Sequence, residues 1–360
     1  MKCEGFSQIT DLVDYLNNNL LIAYYCGFDI TKPLPSYWTF DRFIRKTDSQ
    51  ILKDIMQEQV SRLVKQGVID TSFIGLDSTC VFANTHRNNP KSFGAEGRAM
   101  ADKDCEAGVY TTPSKHSMKG STFYWGYKSH VLCDLISGLP IYEMTTTAAR
   151  QDSTVAIEIL SSTNTFLPLT GCTFVADKGY DVKSIYNTVR DVYGGDCVIP
   201  LKKQSEESKA RFAAGSVICE AELVMHKNGT YDDGYRTLSR FCFPLRRSKK
   251  KSCPIDHKNW NNGKKHRGCS KNVTVPDDYR LSIDRTSVEF KSVYALRTEC
   301  ERYNSRFKST GQARLWVRNA ESAANLNSVA HIALLAIALA VVISKSQVSH
   351  RCLKSAKRVA

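Results

Sequence analysis

Apolar residues recur at three- and four-residue spacing through ITDLVDYLNNNLLIAYYCGF and again through DSQILKDIMQEQVSRLVKQGVI. That period is the mark of amphipathic helices, so residues 1–70 are predicted to be helical. Between the two stretches, KPLPSYWTFDRFIRK has proline breaks and then aromatics interleaved with Arg42, Arg45 and Lys46. The region is either a small DNA-binding unit or a helical cap on the main domain. From residue 71 the texture changes. SFIGLDSTCVF is a short apolar strand with an aspartate in its middle, and a Gly-, Ser- and Lys-rich loop follows it. FYWGYKSHVLCDLISGLPIYEMTTT gives two strands joined by a turn at Ser137-Gly138. DSTVAIEILSS has the helical period, GCTFVADKGYD is a strand ending on Asp177, VKSIYNTVRDVYG is a helix and DCVIPLKK a strand. Strand hairpins followed by alternating helices and strands predict an α/β sheet of mixed direction over residues 71–203.

Residues 204–285 break the pattern. They are polar, cysteine-bearing and basic, with PLRRSKKKSCP and NWNNGKKHRGC, and read as an insertion. Regular texture returns over 286–345, first in a helix from about Ser287 to Lys308 and then in an apolar helix. The longest apolar run, Ile332 to Ile343, is twelve residues, too short to span a bilayer, and predicts a buried core helix. Residues 346–360 form a basic tail, and the chain has no internal repeat.

Charge adds a partner class. The 360-residue chain carries a formal net charge of +14, and a surface that basic attracts polyanions, nucleic acid first among them. Thirteen cysteines is an odd, high count. The N-terminal MKCEGFSQITDLVDYL lacks the uninterrupted apolar core of a secretory leader. The expectation is therefore reduced thiols or metal ligands in a cytosolic protein, not a disulfide framework.

Two aspartates stand where strands disfavour them. Asp77 lies inside an apolar strand, and Asp177 ends another. A strand-end aspartate such as Asp177 is alone explained by capping the next turn or helix. Together on one sheet they can converge on divalent metals, hard cations that prefer carboxylate oxygen. YALRTECERYNSRFK supplies a third carboxylate. At about 100° per residue, with Tyr294 at zero, Arg297 falls near 300°, Lys308 near 320° and Glu301 near 340°. Glu299 falls near 140°, off that stripe. One helix face thus presents Tyr294, Arg297, Glu301 and Lys308 along about 21 Å, a carboxylate with phosphate-binding groups on either side.

Tyr294, Arg297, Glu301 and Lys308 match Y-x2-R-x3-E-x6-K at every interval, the signature of DDE-type transposases of the bacterial insertion-sequence-four group. GLDST resembles that group's first-aspartate strand, WGYKSHVLCD and TTTAARQDS its following strands and loop, and VADKGYD its second-aspartate motif. The resemblance covers about residues 35–340. It implies an RNase H-like core, a five-stranded mixed sheet flanked by helices, with a β-rich insertion before the glutamate helix. It also implies Asp77, Asp177 and Glu301 as a metal-binding triad, with Mg²⁺ the expected ion and Mn²⁺ a substitute. The activity implied is two-metal phosphoryl transfer: cleavage at insertion-sequence ends and strand transfer in cut-and-paste DNA transposition. Tyr294, Arg297 and Lys308 match positions that contact transposon-end phosphates. The partners implied are terminal inverted repeats and target DNA, bound by a homodimer on paired ends, in a prokaryotic, nucleoid-associated cytoplasmic protein.

Other positions stay open between two roles. Lys178 follows Asp177 and either contacts a phosphate or is solvated. Lys128 and His130, in GYKSH, match a family motif, and His130 either neighbours the metals or packs. Trp125 or Trp260 either stacks a flipped base or is buried. Cys253, His257, His266 and Cys269, with Cys219, His226 and Cys242 nearby, are a candidate zinc set. Their spacing departs from Cys-x2-Cys pairs, and reduced thiols are the favoured reading. Two other function classes remain: a domesticated DNA-binding protein without chemistry, and a plain RNase H-like nuclease.

Overall fold

The computed structural model of the chain describes residues 1–85, 101–112, 120–202, 216–242, 254–255, 270–275 and 278–351. Four helices lead: α1 (Ile9–Asn18), α2 (Leu20–Tyr25), α3 (Tyr37–Lys46) and α4 (Ser49–Lys65). Asp48 caps α4, its carboxylate accepting from the Gln50 backbone N–H at 2.9 Å. Leu52, Met56, Val60 and Leu63 form the buried stripe of α4, at spacings of one helical turn.

The main sheet contains β1 (Phe73–Phe82), β2 (Glu106–Thr112), β3 (Gly120–Asp134), β4 (Pro140–Thr147), β5 (Thr173–Ala176) and β6 (Asp196–Val198). It has six strands, ordered β2-β3-β1-β5-β6, with β4 also pairing β3. β3 runs antiparallel to β1, β2 and β4, while β5 is parallel to β1 and β6 to β5. The path β4-β3-β1-β5-β6 is the expected RNase H-like sheet, and β2 is an addition to it. Residues 106–112 lie in a stretch whose Gly, Ser and Lys content predicts loop. Instead they pair with Gly120–Gly126 and lengthen β3 beyond the core. The local Val109-Tyr110-Thr111 run favours a strand, and the flanking composition masks it.

Further along lie α5 (Asp152–Asn164), α6 (Lys183–Asn187), α7 (Tyr279–Ser282), α8 (Val288–Ala295), α9 (Thr298–Phe307) and α10 (Ala320–Ile343). In the insertion, β7 (His226–Asp232), β8 (Thr237–Cys242) and β9 (Ser270–Val275) make a separate three-stranded antiparallel sheet.

Strand alternation splits the core in two. Ile74, Leu76 and Leu132 face α4 and α5, packing with Val60, Leu63, Val155 and Ile159. Val81, Val131 and Cys133 face α9 and the first half of α10, packing with Cys300, Tyr303, Phe307 and Leu326. At 24 residues α10 is twice the predicted apolar run and long enough to cross a membrane. Asn325, Asn327 and His331, all buried, pair inside the protein, which marks α10 as a core helix. Asn325 donates to the Ile44 and Thr47 carbonyls at 2.9 and 2.8 Å, and Asn327 donates to Thr145 Oγ1 at 2.9 Å. His331 is hydrogen-bonded through Nδ1 to the Tyr303 hydroxyl at 2.5 Å and through Nε2 to Ser129 Oγ at 3.1 Å. It also stacks on Phe307 at 4.4 Å. Burial pushes its pKa down to about 3, so the ring is a neutral spacer that locks α10 to α9.

α9 lies directly on the backbone of β1. A Cβ added at Gly75 would meet Leu135 Cδ2 at 2.6 Å and Cys300 Sγ at 2.7 Å, both well inside contact distance. Gly75→Ala is therefore expected to lower stability by about 1–3 kcal/mol through overpacking, read from urea unfolding. An unchanged midpoint would show that α9 does not sit this close.

Candidate active site

Asp77 and Asp177 are brought together by the backbone alone. β1 and β5 pair in parallel with Leu76 opposite Ala176, and each aspartate is the next residue in its chain. Neighbouring strands lie about 4.8 Å apart, so the two carboxylates leave the sheet side by side. Asp177 Oδ1 accepts from the Gly179 N–H at 2.6 Å and caps the short turn Lys178–Tyr180. Capping and convergence are thus compatible. A side chain at 179 would bring its Cβ to 2.8 Å from that oxygen, so glycine is needed for the close approach.

Asp77 has both oxygens engaged. Oδ1 accepts from the Ser78 N–H at 2.9 Å, and Oδ2 accepts from Asn304 Nδ2 at 3.0 Å. Burial pushes its pKa up to about 6. Arg297 and the Ser78 N–H oppose the rise, while the negative charges of Asp177 and Glu301 add to it. All three carboxylates and Arg297 therefore share one electrostatic neighbourhood.

Glu301 enters from α9. Arg297 Nη1 meets its Oε1 at 2.6 Å, the arginine side chain being 19% exposed and the glutamate 58%. The single helix expected over Ser287–Lys308 is in fact α8 and α9 with a turn at Leu296 and Arg297. There the backbone tightens to three-residue hydrogen bonds, Arg297 N–H to the Tyr294 carbonyl and Cys300 N–H to the Arg297 carbonyl, both at 3.0 Å. α8 lies over β5 and β6, and α9 over β1 and β3, so the bend lets both helices seat on a twisted sheet. The backbone stays right-handed helical through the turn, so the side-chain stripe survives it.

Tyr294 is half-buried and stacks on Phe290 at 6.0 Å. Burial raises its hydroxyl pKa, and Asp177, Glu301 and Asp77 act on it too. Lys308, at the end of α9, and Lys178, beside Asp177, are exposed. Glu299 lies elsewhere. It is buried, and it pairs with Arg302 and, at 3.5 Å, with Arg351.

Lys128 and His130 are not brought to this cluster. Ser78 lies opposite His130 in the β1–β3 register, so both point to the face away from Asp77. Lys128 Nζ donates to Asp152 Oδ1 at 2.8 Å and to the Arg150 carbonyl at 3.0 Å. His130 is buried, hydrogen-bonded to Thr146 Oγ1 at 2.9 Å, and its pKa is pushed down to about 4, chiefly by burial. These residues, with the Ser78 hydroxyl at 3.1 Å from Asp152 Oδ2, hold the first residue of α5. Trp125 is half-buried against the α9-side core. Trp260 and the pairs Cys253, His257 and His266, Cys269 lie outside the described residues. The described cysteines are all free thiols.

Asn304 was not singled out by the residue pattern, although at about 280° it borders the stripe of Tyr294, Arg297 and Glu301. The acidic side chains near Asp77 would offer only carboxylate oxygen, which suits a hard divalent cation. Among the described residues no three metal-ligating side chains stand close enough to hold an ion in this conformation, in which Glu301 is paired with Arg297.

The family model described as a transposase DDE domain matches residues 69–339, and the chain belongs to this family. No curated protein matches the chain. Among solved structures, a piggyBac transposase synaptic complex with hairpin DNA is similar at 13% identity and a TM-score of 0.39, over 90% of this chain and 62% of that one. The Mos1 mariner paired-end complex with Mn is similar at 10% identity and a TM-score of 0.20, over 41% of this chain and 40% of that one. Likenesses this distant add nothing to the family assignment.

Because the Asp77 carboxyl is harder to ionise in the fold than in the unfolded chain, its charge costs stability. The cost begins as pH rises past about 4 and is complete above about 6. Asp77→Asn is expected to stabilise the metal-free protein by up to about 3 kcal/mol at pH 8, with the gain gone below pH 4. Thermal unfolding across pH checks this. A gain that does not shrink on acidification contradicts it.

Proposed function

We propose that the chain is a DNA transposase of the insertion-sequence-four group that cuts the ends of a mobile element and joins them to target DNA. What supports this reading is the pairing that sets Asp77 beside Asp177, with Glu301 close enough to act on the Asp77 charge, in a chain of the DDE family. The net charge of +14 supports a DNA partner. Two element ends must be held together for joining, so a homodimer on paired ends is the assembly proposed.

Asp77, Asp177 and Glu301 would hold Mg²⁺, or Mn²⁺ in its place. A metal held there would supply positive charge for activating the attacking hydroxyl and for the departing 3′ oxygen. The chain's own residues do the positioning. The Gly179 N–H fixes one oxygen of Asp177, and the Ser78 N–H and the Asn304 amide fix both oxygens of Asp77. Arg297 neutralises the crowded carboxylates while it is paired with Glu301. A DNA phosphate is a better bidentate partner for a guanidinium than an exposed glutamate. Its arrival at Arg297 would free Glu301 to turn toward the aspartates. Lys308 and Tyr294 flank that position on the same face, and exposed Lys178 adds a further cation beside Asp177.

The test is cleavage of element-end DNA in Mg²⁺. Asp177→Ala and Glu301→Gln are each expected to lower the rate by about a hundredfold or more. Glu299→Gln should retain cleavage, since Glu299 is committed to Arg302 and Arg351. End binding without cleavage by the unaltered protein would favour a domesticated binding protein. Cleavage without end preference would favour a plain nuclease.

A further inference from the structure

We propose that Asn304 is a positioning residue that sets Asp77 and Glu301 in register for metal binding. Its Nδ2 donates to Asp77 Oδ2 at 3.0 Å, across 227 positions of sequence, from α9 to β1. Asn304 lies three residues after Glu301, one helical turn away on the same face. One amide therefore ties the strand that carries the first carboxylate to the helix that carries the third.

The chemistry suits an anion holder. A carboxylate offers about four acceptor directions, and in Asp77 one on each oxygen is taken, by the Ser78 N–H and by Asn304. The remaining directions stay open, with the carboxylate plane fixed by two donors. Asparagine is also a poor choice for the interior of a helix on intrinsic grounds, since its side chain competes for backbone hydrogen bonds. Here the side chain reaches out of the helix to Asp77. Groups that orient metal-binding carboxylates are commonly worth one to two orders of magnitude in metal affinity, although they never touch the ion.

This inference rests on the triad reading, and the experiment separates the two. Mn²⁺ binding to the full chain in complex with an element-end duplex is measured by calorimetry for the unaltered protein, Asp77→Ala, Asn304→Ala and Asn304→Gln, with melting temperatures of the free proteins taken in parallel. Asn304→Ala is expected to weaken Mn²⁺ binding by about tenfold or more while its melting temperature holds or rises, because alanine is the better helix former. Asn304→Gln keeps an amide donor and is expected to recover part of the loss. If the unaltered protein binds Mn²⁺ no more tightly than Asp77→Ala, the triad reading itself fails. If Asp77→Ala loses binding and Asn304→Ala does not, the role of Asn304 is overturned. A glutamine variant no better than alanine assigns the loss to packing and overturns it as well.

Discussion

The parallel pairing of β1 with β5 is the constraint on which the candidate site depends. With Leu76 opposite Ala176, Asp77 and Asp177 become neighbours without any help from loops. A slip of one residue in this register would send one aspartate to the other face of the sheet. The buried residues around it, Ile74 and Leu76 on one side and Val175 on the other, make such a slip costly. The third carboxylate depends on a second close fit, of α9 on the bare backbone at Gly75. His331, wedged between Tyr303 and Ser129, then holds α10 behind α9. Close packing thus positions the strand and helix that carry these acidic side chains.

That placement is electrostatically uncomfortable, and the structure carries the signs of it. Asp77 is pushed toward protonation by burial and by its two acidic neighbours. Arg297 offsets the crowding by pairing with Glu301. On this account the arginine stands in for missing positive charge until a metal and a DNA phosphate arrive together. The same residues then serve substrate binding and site assembly, which makes metal capture depend on DNA. Lys128 and His130 belong to a different unit. They anchor Asp152 and the start of α5 on the far face of the sheet.

Much of this was legible in the residue pattern, for identifiable reasons. Short apolar runs and the turn at Ser137-Gly138 marked β1, β3 and β4, and an aspartate inside the first run stood out as an anomaly. Helical spacing set Glu301 apart from Glu299, because angular position survives a mild bend. Relations that depend on partners distant in sequence were not legible. The contact of Asn304 with Asp77 spans the chain, and nothing local announces it. The bend at Leu296 and Arg297 arises from seating two helices on different strands. β2 was hidden by the loop-like composition around it, and the length of α10 by polar residues whose partners lie on β4 and α3.

The central claim is that Asp77, Asp177 and Glu301 bind one metal centre once Arg297 is drawn away by DNA. Anomalous diffraction from crystals grown with Mn²⁺ and an element-end duplex tests it most directly. The account predicts a manganese peak between the Asp77 and Asp177 carboxylates, with Glu301 turned from Arg297 toward the ion and Arg297 on a DNA phosphate. A manganese peak elsewhere, or none beside these aspartates while Glu301 keeps its pair with Arg297, would contradict it.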